Sequence, residues 1–192
     1  MDELCLPAPR LIIRDFRVDD LPDIHALRSE PEVARFMGFL PESPEQSRAW
    51  LEAVIFHNQQ RPREAYNFAI VHRGEGRAIG WIGIGRSGRY PGAGELGFGY
   101  MLHRAYWGQG YMPEAVRAIL EFGFRRLGGL RISAWCYAEN HASARVLEKA
   151  GLHFERRFRA TEPTSGQLAD CLEYAISAEE WESEAPGSGA AD

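Results

Sequence analysis

Gly108 and Gly110 stand one residue apart and lead into Tyr111, Met112, Pro113 and Glu114. Glycines at that spacing let backbone N–H groups turn inward without side-chain obstruction. A following helix N-terminus adds partial positive charge at the same place. Such a loop can hold a pyrophosphate. It is not a Walker loop, because no Gly-Lys-Ser/Thr follows. Spacing alone fits equally well a strand-to-helix turn that binds nothing. For acid–base chemistry the residues themselves offer Glu95, which opens the run Glu95–Leu102 on the same face as Gly97, Gly99 and Met101. The small residues on that face leave room for a ligand beside the carboxylate. A solvated strand-end glutamate has the same pattern.

Other patterns carry less. Gly83-Ile84-Gly85-Arg86-Ser87-Gly88 matches G-x-G-x-x-G after a strand, but Arg89-Tyr90-Pro91-Gly92 follows where a dinucleotide site needs a helix. The six histidines lack metal-ligand spacing such as H-E-x-x-H, and three widely spaced cysteines (Cys5, Cys136 and Cys171) make neither a disulfide framework nor a Cys-rich zinc site. No metal is expected. His103 and His141 read as surface histidines, and Trp50 and Trp81 as core. Trp135 and Tyr137 share one side of their strand near Asn140, where they could wall a pocket.

The elements that must position these residues follow from periodicity. Arg10–Phe16, Asn67–His72, Ala78–Gly85 and Glu95–Leu102 read as strands, the middle two forming a hairpin around Gly74-Glu75-Gly76. Helical spacing appears in Leu21, Ile24 and Leu27. It recurs in Trp50, Leu51, Val54 and Ile55, after the start signal Ser43-Pro44-Glu45-Gln46. A helix over Pro113–Leu127 turns Val116, Ile119, Leu120, Phe124 and Leu127 inward and ends at Gly128-Gly129. Strand Leu130–Tyr137, helix His141–Ala150, and strands Leu152–Arg159 and Cys171–Ile176 complete the series, with Thr161–Asp170 as connector. Strands run together first and then alternate with helices, so the chain is a mixed α/β (α+β) protein.

Composition sets the bounds. The chain has 192 residues, 45% hydrophobic and 26% charged, with 27 acidic against 22 basic side chains and a formal charge of −5. That is the make-up of one globular domain. Scattered arginines on an acidic chain argue against a nucleic-acid surface. Apolar runs are too short to span a membrane, and residues 1–10 lack a secretory pattern, so the cytoplasm is expected.

Trp107-Gly108-Gln109-Gly110-Tyr111-Met112 resembles the acyl-CoA loop of the GCN5-related N-acetyltransferase (GNAT) superfamily, and is most similar to its RimJ/RimL-like branch. Arg10-Leu11-Ile12-Ile13-Arg14 and Ser29–Arg35 resemble that branch's opening segment. Asn140-His141-Ala142-Ser143 resembles its second signature, and Asp170–Ile176 through Trp181 its closing strand and turn. The resemblance implies a GNAT domain over residues 10–182, with a 1–9 extension and a disordered 183–192 tail. Its fold would be a central, mostly antiparallel twisted sheet with helices on both faces.

It further implies direct acetyl transfer from acetyl-CoA to a primary amine, on a small molecule or a protein N-terminus; a homodimer would be compatible with it. Tyr100, Met101 and Leu102 would pair with the pantetheine arm as a strand edge, with the Met101 N–H as oxyanion donor. Gly108, Gln109, Gly110, Tyr111, Met112 and Pro113 would enclose the pyrophosphate, and Asn140 would bond the pantetheine. Ser143 would protonate the departing thiolate, and Glu162 or Glu95 would serve as base. Met112 stands where the family has Gly or Ala. The catalytic acidic residue and tyrosine of other branches are replaced by Trp135 and Leu147. A non-catalytic acyl-CoA-sensing domain is therefore the alternative, and a nucleotide-phosphate protein a weaker one.

Overall fold

The computed structural model describes residues 4–86, 92 and 94–184. Alternating apolar residues give the strands one face each. The strands are β1 (Cys5–Pro7), β2 (Leu11–Asp15), β3 (Ala65–His72), β4 (Ala78–Arg86), β5 (Glu95–Leu102), β6 (Arg131–Tyr137), β7 (His153–Thr161) and β8 (Leu168–Ser177). They form one sheet in the order β1-β2-β3-β4-β5-β6-β8-β7. Every neighbouring pair is antiparallel except β5 and β6, which run parallel.

Helices cover both faces. On one, α4 (Tyr111–Arg125) and α5 (His141–Lys149) bury Val116, Ile119, Leu120 and Leu147 against Phe68, Ile70, Ile82, Ile84 and Ile132. On the other, α1 (Leu21–Arg28) and α3 (Pro44–Gln59) bury Ile24, Leu27, Leu51 and Val54 against Ala69, Val71 and Met101. The expected Ser43 signal does start α3: Ser43 Oγ accepts from the Gln46 N–H, and Gln46 Oε1 accepts from the Ser43 N–H at 2.8 Å. Short α2 (Pro31–Ala34) and α6 (Ala178–Glu184) complete the set.

Several boundaries differ from the expectations. Residues 5–7, assigned to an extension, pair with β2 as an edge strand. Helix α6 carries the chain to Glu184, and the rest of the expected tail lies outside the described residues. In α4 it is Phe122 and Gly123 that press on the sheet, while Phe124 stacks on Trp181 at 5.8 Å. The long connector shrinks, because β7 reaches Thr161 and β8 begins at Leu168. Glu162 N–H to Gln167 O and Gly166 N–H to Glu162 O close a tight turn there. Among the described residues, no helix is long and apolar enough to cross a membrane, and no His, Cys, Asp or Glu cluster could hold a metal.

Candidate active site

The parallel pair β5–β6 is joined only over Glu95–Gly97 and Arg131–Ser133. Beyond those residues the two strands part, and the gap opens into a cleft of about 540 Å³. Tyr100, Met101 and Leu102 line one wall of it, Trp135, Cys136 and Tyr137 another. Gly108, Gly110, Tyr111, Met112, Pro113, Asn140 and Ser143 line the cleft as well. Phe36, Met37, Gly38 and Pro163 close it from above, and a Cβ on Gly38 would come within 2.9 Å of Pro163.

The strand edge alternates. The His103 N–H bonds Ile79 O, and the constant register carries the same pairing to Met101 and Trp81. Met101 N–H therefore belongs to the β4 ladder, which corrects its expected role as oxyanion donor. The backbone groups of Tyr100 and Leu102 face the gap instead. Leu102 O already accepts from Trp107 Nε1 at 2.7 Å, so the edge offers the N–H groups of Tyr100 and Leu102 and the Tyr100 carbonyl.

The glycine loop is built for an anion. Gly108 and Gly110 have φ of 75° and 79°, left-handed values natural to glycine. Gly110 is the N-cap of α4 and supplies no side-chain cap, so the first N–H groups of the helix remain available. Pro113 costs nothing at the third helical position, where the N–H would have no partner in any case. Met112, the departure from the family pattern, is 4% exposed and packs in the core with Ala115 and Val116, so its bulk points away from the loop. Gln109 does not line the cleft; its side chain donates to Ala105 O at 2.9 Å. Arg10 braces the loop from β2's start, donating to Gln109 O at 3.0 Å and Glu114 Oε2 at 2.8 Å and lying 4.4 Å over the Tyr111 ring. A diphosphate fits this cradle, and a pantetheine-length arm fits the gap that leads from it.

Asn140 caps α5, its Oδ1 accepting from the Ser143 N–H at 3.1 Å, which leaves its NH₂ as the donor toward the cleft. Ser143 Oγ does not bond within its own helix but lies 2.7 Å from the Tyr100 hydroxyl. Burial holds that phenol well above its ordinary range, so it stays protonated. Burial also pushes the Cys136 thiol up to about 11, with a hydrogen bond from Ser143 opposing the rise. Cys136 is thus a thiol at neutral pH, a poor nucleophile.

The two expected bases stand elsewhere. Glu95 Oε2 is 2.9 Å from Arg131, which also holds Glu155, and Glu95 lines no part of the cleft. Glu162 sits at the rim beside Pro163, but its carboxylate receives hydrogen bonds from Ser165 and Thr164 that lower it to about 2. A base that weak is matched poorly to an ammonium at neutral pH. His103 and His141 do not line the cleft either.

A second cavity, of about 700 Å³, lies on the sheet face that α1 and α3 leave open, and shares Phe98, Gly99, Ala134 and Trp135 with the cleft. Its floor is Gly83, Gly85, Gly97 and Gly99, so the face read as roomy in the sequence is indeed hollow. The carboxylate that lines it is Glu173, which the sequence reading did not single out. The one signal was a glutamate placed mid-strand between Leu172 and Tyr174. Trp81, expected as core, packs edge-on against Trp50 at 6.4 Å but also lines this cavity.

Residues 10–153 match the acetyltransferase (GNAT) domain family. The chain belongs to the GNAT acetyltransferase family. YnaD, an uncharacterized N-acetyltransferase of Bacillus subtilis (strain 168), is 32% identical over 172 residues, covering 90% of this chain and 96% of its own. A GNAT-family acetyltransferase structure from Bacillus anthracis superposes with TM-score 0.79 at 29% identity, covering 92% of this chain and 99% of that one. The structure of RimL, a ribosomal L7/L12 alpha-N-protein acetyltransferase in complex with coenzyme A, shares the fold with TM-score 0.77 at 20% identity, over 91% and 98% of the two chains. This GNAT protein is therefore an acyl-CoA-dependent acetyltransferase.

Proposed function

We propose that this GNAT enzyme acetylates a primary amine by direct transfer within a ternary complex, in the manner of the RimJ/RimL-like branch. One observation carries the reading: the cofactor cleft and the glycine-floored cavity meet at Phe98, Gly99, Ala134 and Trp135, so donor and acceptor can be held at once from two sides of the sheet.

Acetyl-CoA supplies a thioester whose carbonyl carbon is open to an amine. The N–H groups of Tyr100 and Leu102, which face the gap, would stabilise the developing oxyanion. Ser143 Oγ holds a proton for the departing sulfur, and the Tyr100 hydroxyl holds Ser143 in place. In net terms an N–C bond replaces the C–S bond, the sulfur gains a proton and one proton leaves to solvent. The high position of the Cys136 thiol argues against an acyl-enzyme.

Initial rates measured with acetyl-CoA and amine both varied should give intersecting lines. Intact mass after acetyl-CoA alone should show no added acetyl group, and Cys136→Ser should keep turnover. Parallel lines with an acetylated enzyme would overturn direct transfer. Acetyl-CoA binding without turnover of any amine would leave the sensing-domain alternative.

A further inference from the structure

We propose that Glu173 is the anionic anchor that receives the acceptor's ammonium group, in the cavity on the open sheet face. This rests on the acetyl-transfer reading above and adds to it a class of acceptor: a primary amine that arrives as a cation.

Register places the anchor. Asn67 pairs with Gly83 and Gly83 with Gly99, while across the gap Trp135 pairs with Glu173. Gly97 lies opposite Ser133 where β5 and β6 still pair, so two residues further on, Gly99 and Trp135 stand level. Glu173 is thus one strand beyond the point where the cavity and the cofactor cleft join. Its position alternates with Leu172 and Tyr174, so its side chain shares the open face with Trp135.

The chemistry of the surroundings suits a cation. Glu173 is 1% exposed and bonded to Arg156 Nε at 2.7 Å, on a side chain that is itself half-exposed. That bond orients the carboxylate, which lines the cavity, and an ammonium would join the pair as a further donor set. Trp135, 44% exposed, and Trp81 line the same space, where an aromatic lining suits a cation. Trp81 is held by its Nε1 donating to Asn67 Oδ1 at 3.0 Å, and its ring lies 3.5 Å from where a Gly99 Cβ would be.

The test is a kinetic comparison of wild type, Glu173→Gln and Glu173→Asp on propylamine, 4-aminobutyrate, 1,4-diaminobutane and a dipeptide. Acetyl-CoA affinity by calorimetry serves as the control. Glu173→Gln should raise KM for the good acceptors tenfold or more, with acetyl-CoA affinity unchanged within twofold, and Glu173→Asp should recover part of the loss. Butyltrimethylammonium, charged but without an N–H to acetylate, should inhibit wild type competitively against the amine, and butyrate should not. An unchanged KM in folded Glu173→Gln would overturn the anchor. If that variant does not fold, failure of butyltrimethylammonium to compete would overturn it. Wild type that acetylates none of the panel would overturn the amine reading itself, whereas turnover insensitive to Glu173 would overturn this inference alone.

Discussion

A serine hydroxyl can protonate a thiolate only if something holds its proton toward the sulfur and replaces it afterwards. Tyr100, buried and kept protonated, is placed to do this for Ser143. Ser143→Ala should lower kcat about 10- to 100-fold, the lower range of general acid catalysis, while calorimetric acetyl-CoA affinity changes by less than about threefold. Tyr100→Phe should fall between that variant and wild type. Glu162 belongs to a different group of residues. Its carboxylate sits at about 2, so it is ionised throughout the neutral range and has no proton equilibrium there to shape a rate. Glu162→Gln should therefore leave the pH profile of kcat/KM unchanged between pH 6 and 9. What the carboxylate does for the 162–167 turn is present above the ordinary carboxylate range and is lost progressively as pH falls from that range to about 2.

The glycine loop, proposed above to hold acetyl-CoA, rests on two left-handed glycines. Gly110 is left-handed, and an alanine there would be strained by about 1–2 kcal/mol. Gly110→Ala should therefore weaken acetyl-CoA binding about 5- to 30-fold by calorimetry. Arg10 acts from another element: it links the start of β2 to the loop through Gln109 O and Glu114. Arg10→Ala should weaken acetyl-CoA binding several-fold with little change in Tm, since Arg10 is exposed and its bonds serve the loop. Sequence showed the loop's glycines plainly, because two glycines before a helix leave a local signature. The brace was invisible, because its partners are distant in the chain and meet only when β2 lies beside α4.

At the scale of the whole molecule, α4 sits unusually close to the sheet. A Cβ at Gly123 would lie 2.5 Å from Ile132 Cδ1 and 2.9 Å from Ile84 Cδ1. Gly123→Ala should cost about 1–3 kcal/mol through overpacking. In a chain of this size that is a fall of about 2–12 °C in Tm by thermal unfolding. The close approach matters to function because α4 carries the glycine loop at its N-terminus, and its seat on the sheet sets the height of the loop over the parted strands.

Local pattern determined much of this protein: the strands and helices, the capping box at Ser43, the anion loop, and the roomy face of β5 bearing Gly97 and Gly99. These are properties of short stretches, in which residue type and spacing decide backbone conformation and which side is apolar. The assignment of Met112 needed the tertiary structure, because only packing shows that its side chain turns into the core. So did the orientation of Met101, which depends on how β5 hydrogen-bonds to β4. Glu95 looked available until Arg131 came beside it from β6, and Glu162 until its own turn closed on it. Glu173 reached the open face through pairing with β6, a partner distant in sequence. Charge partners and cavity walls are long-range facts, and a linear pattern does not encode which strands will lie side by side.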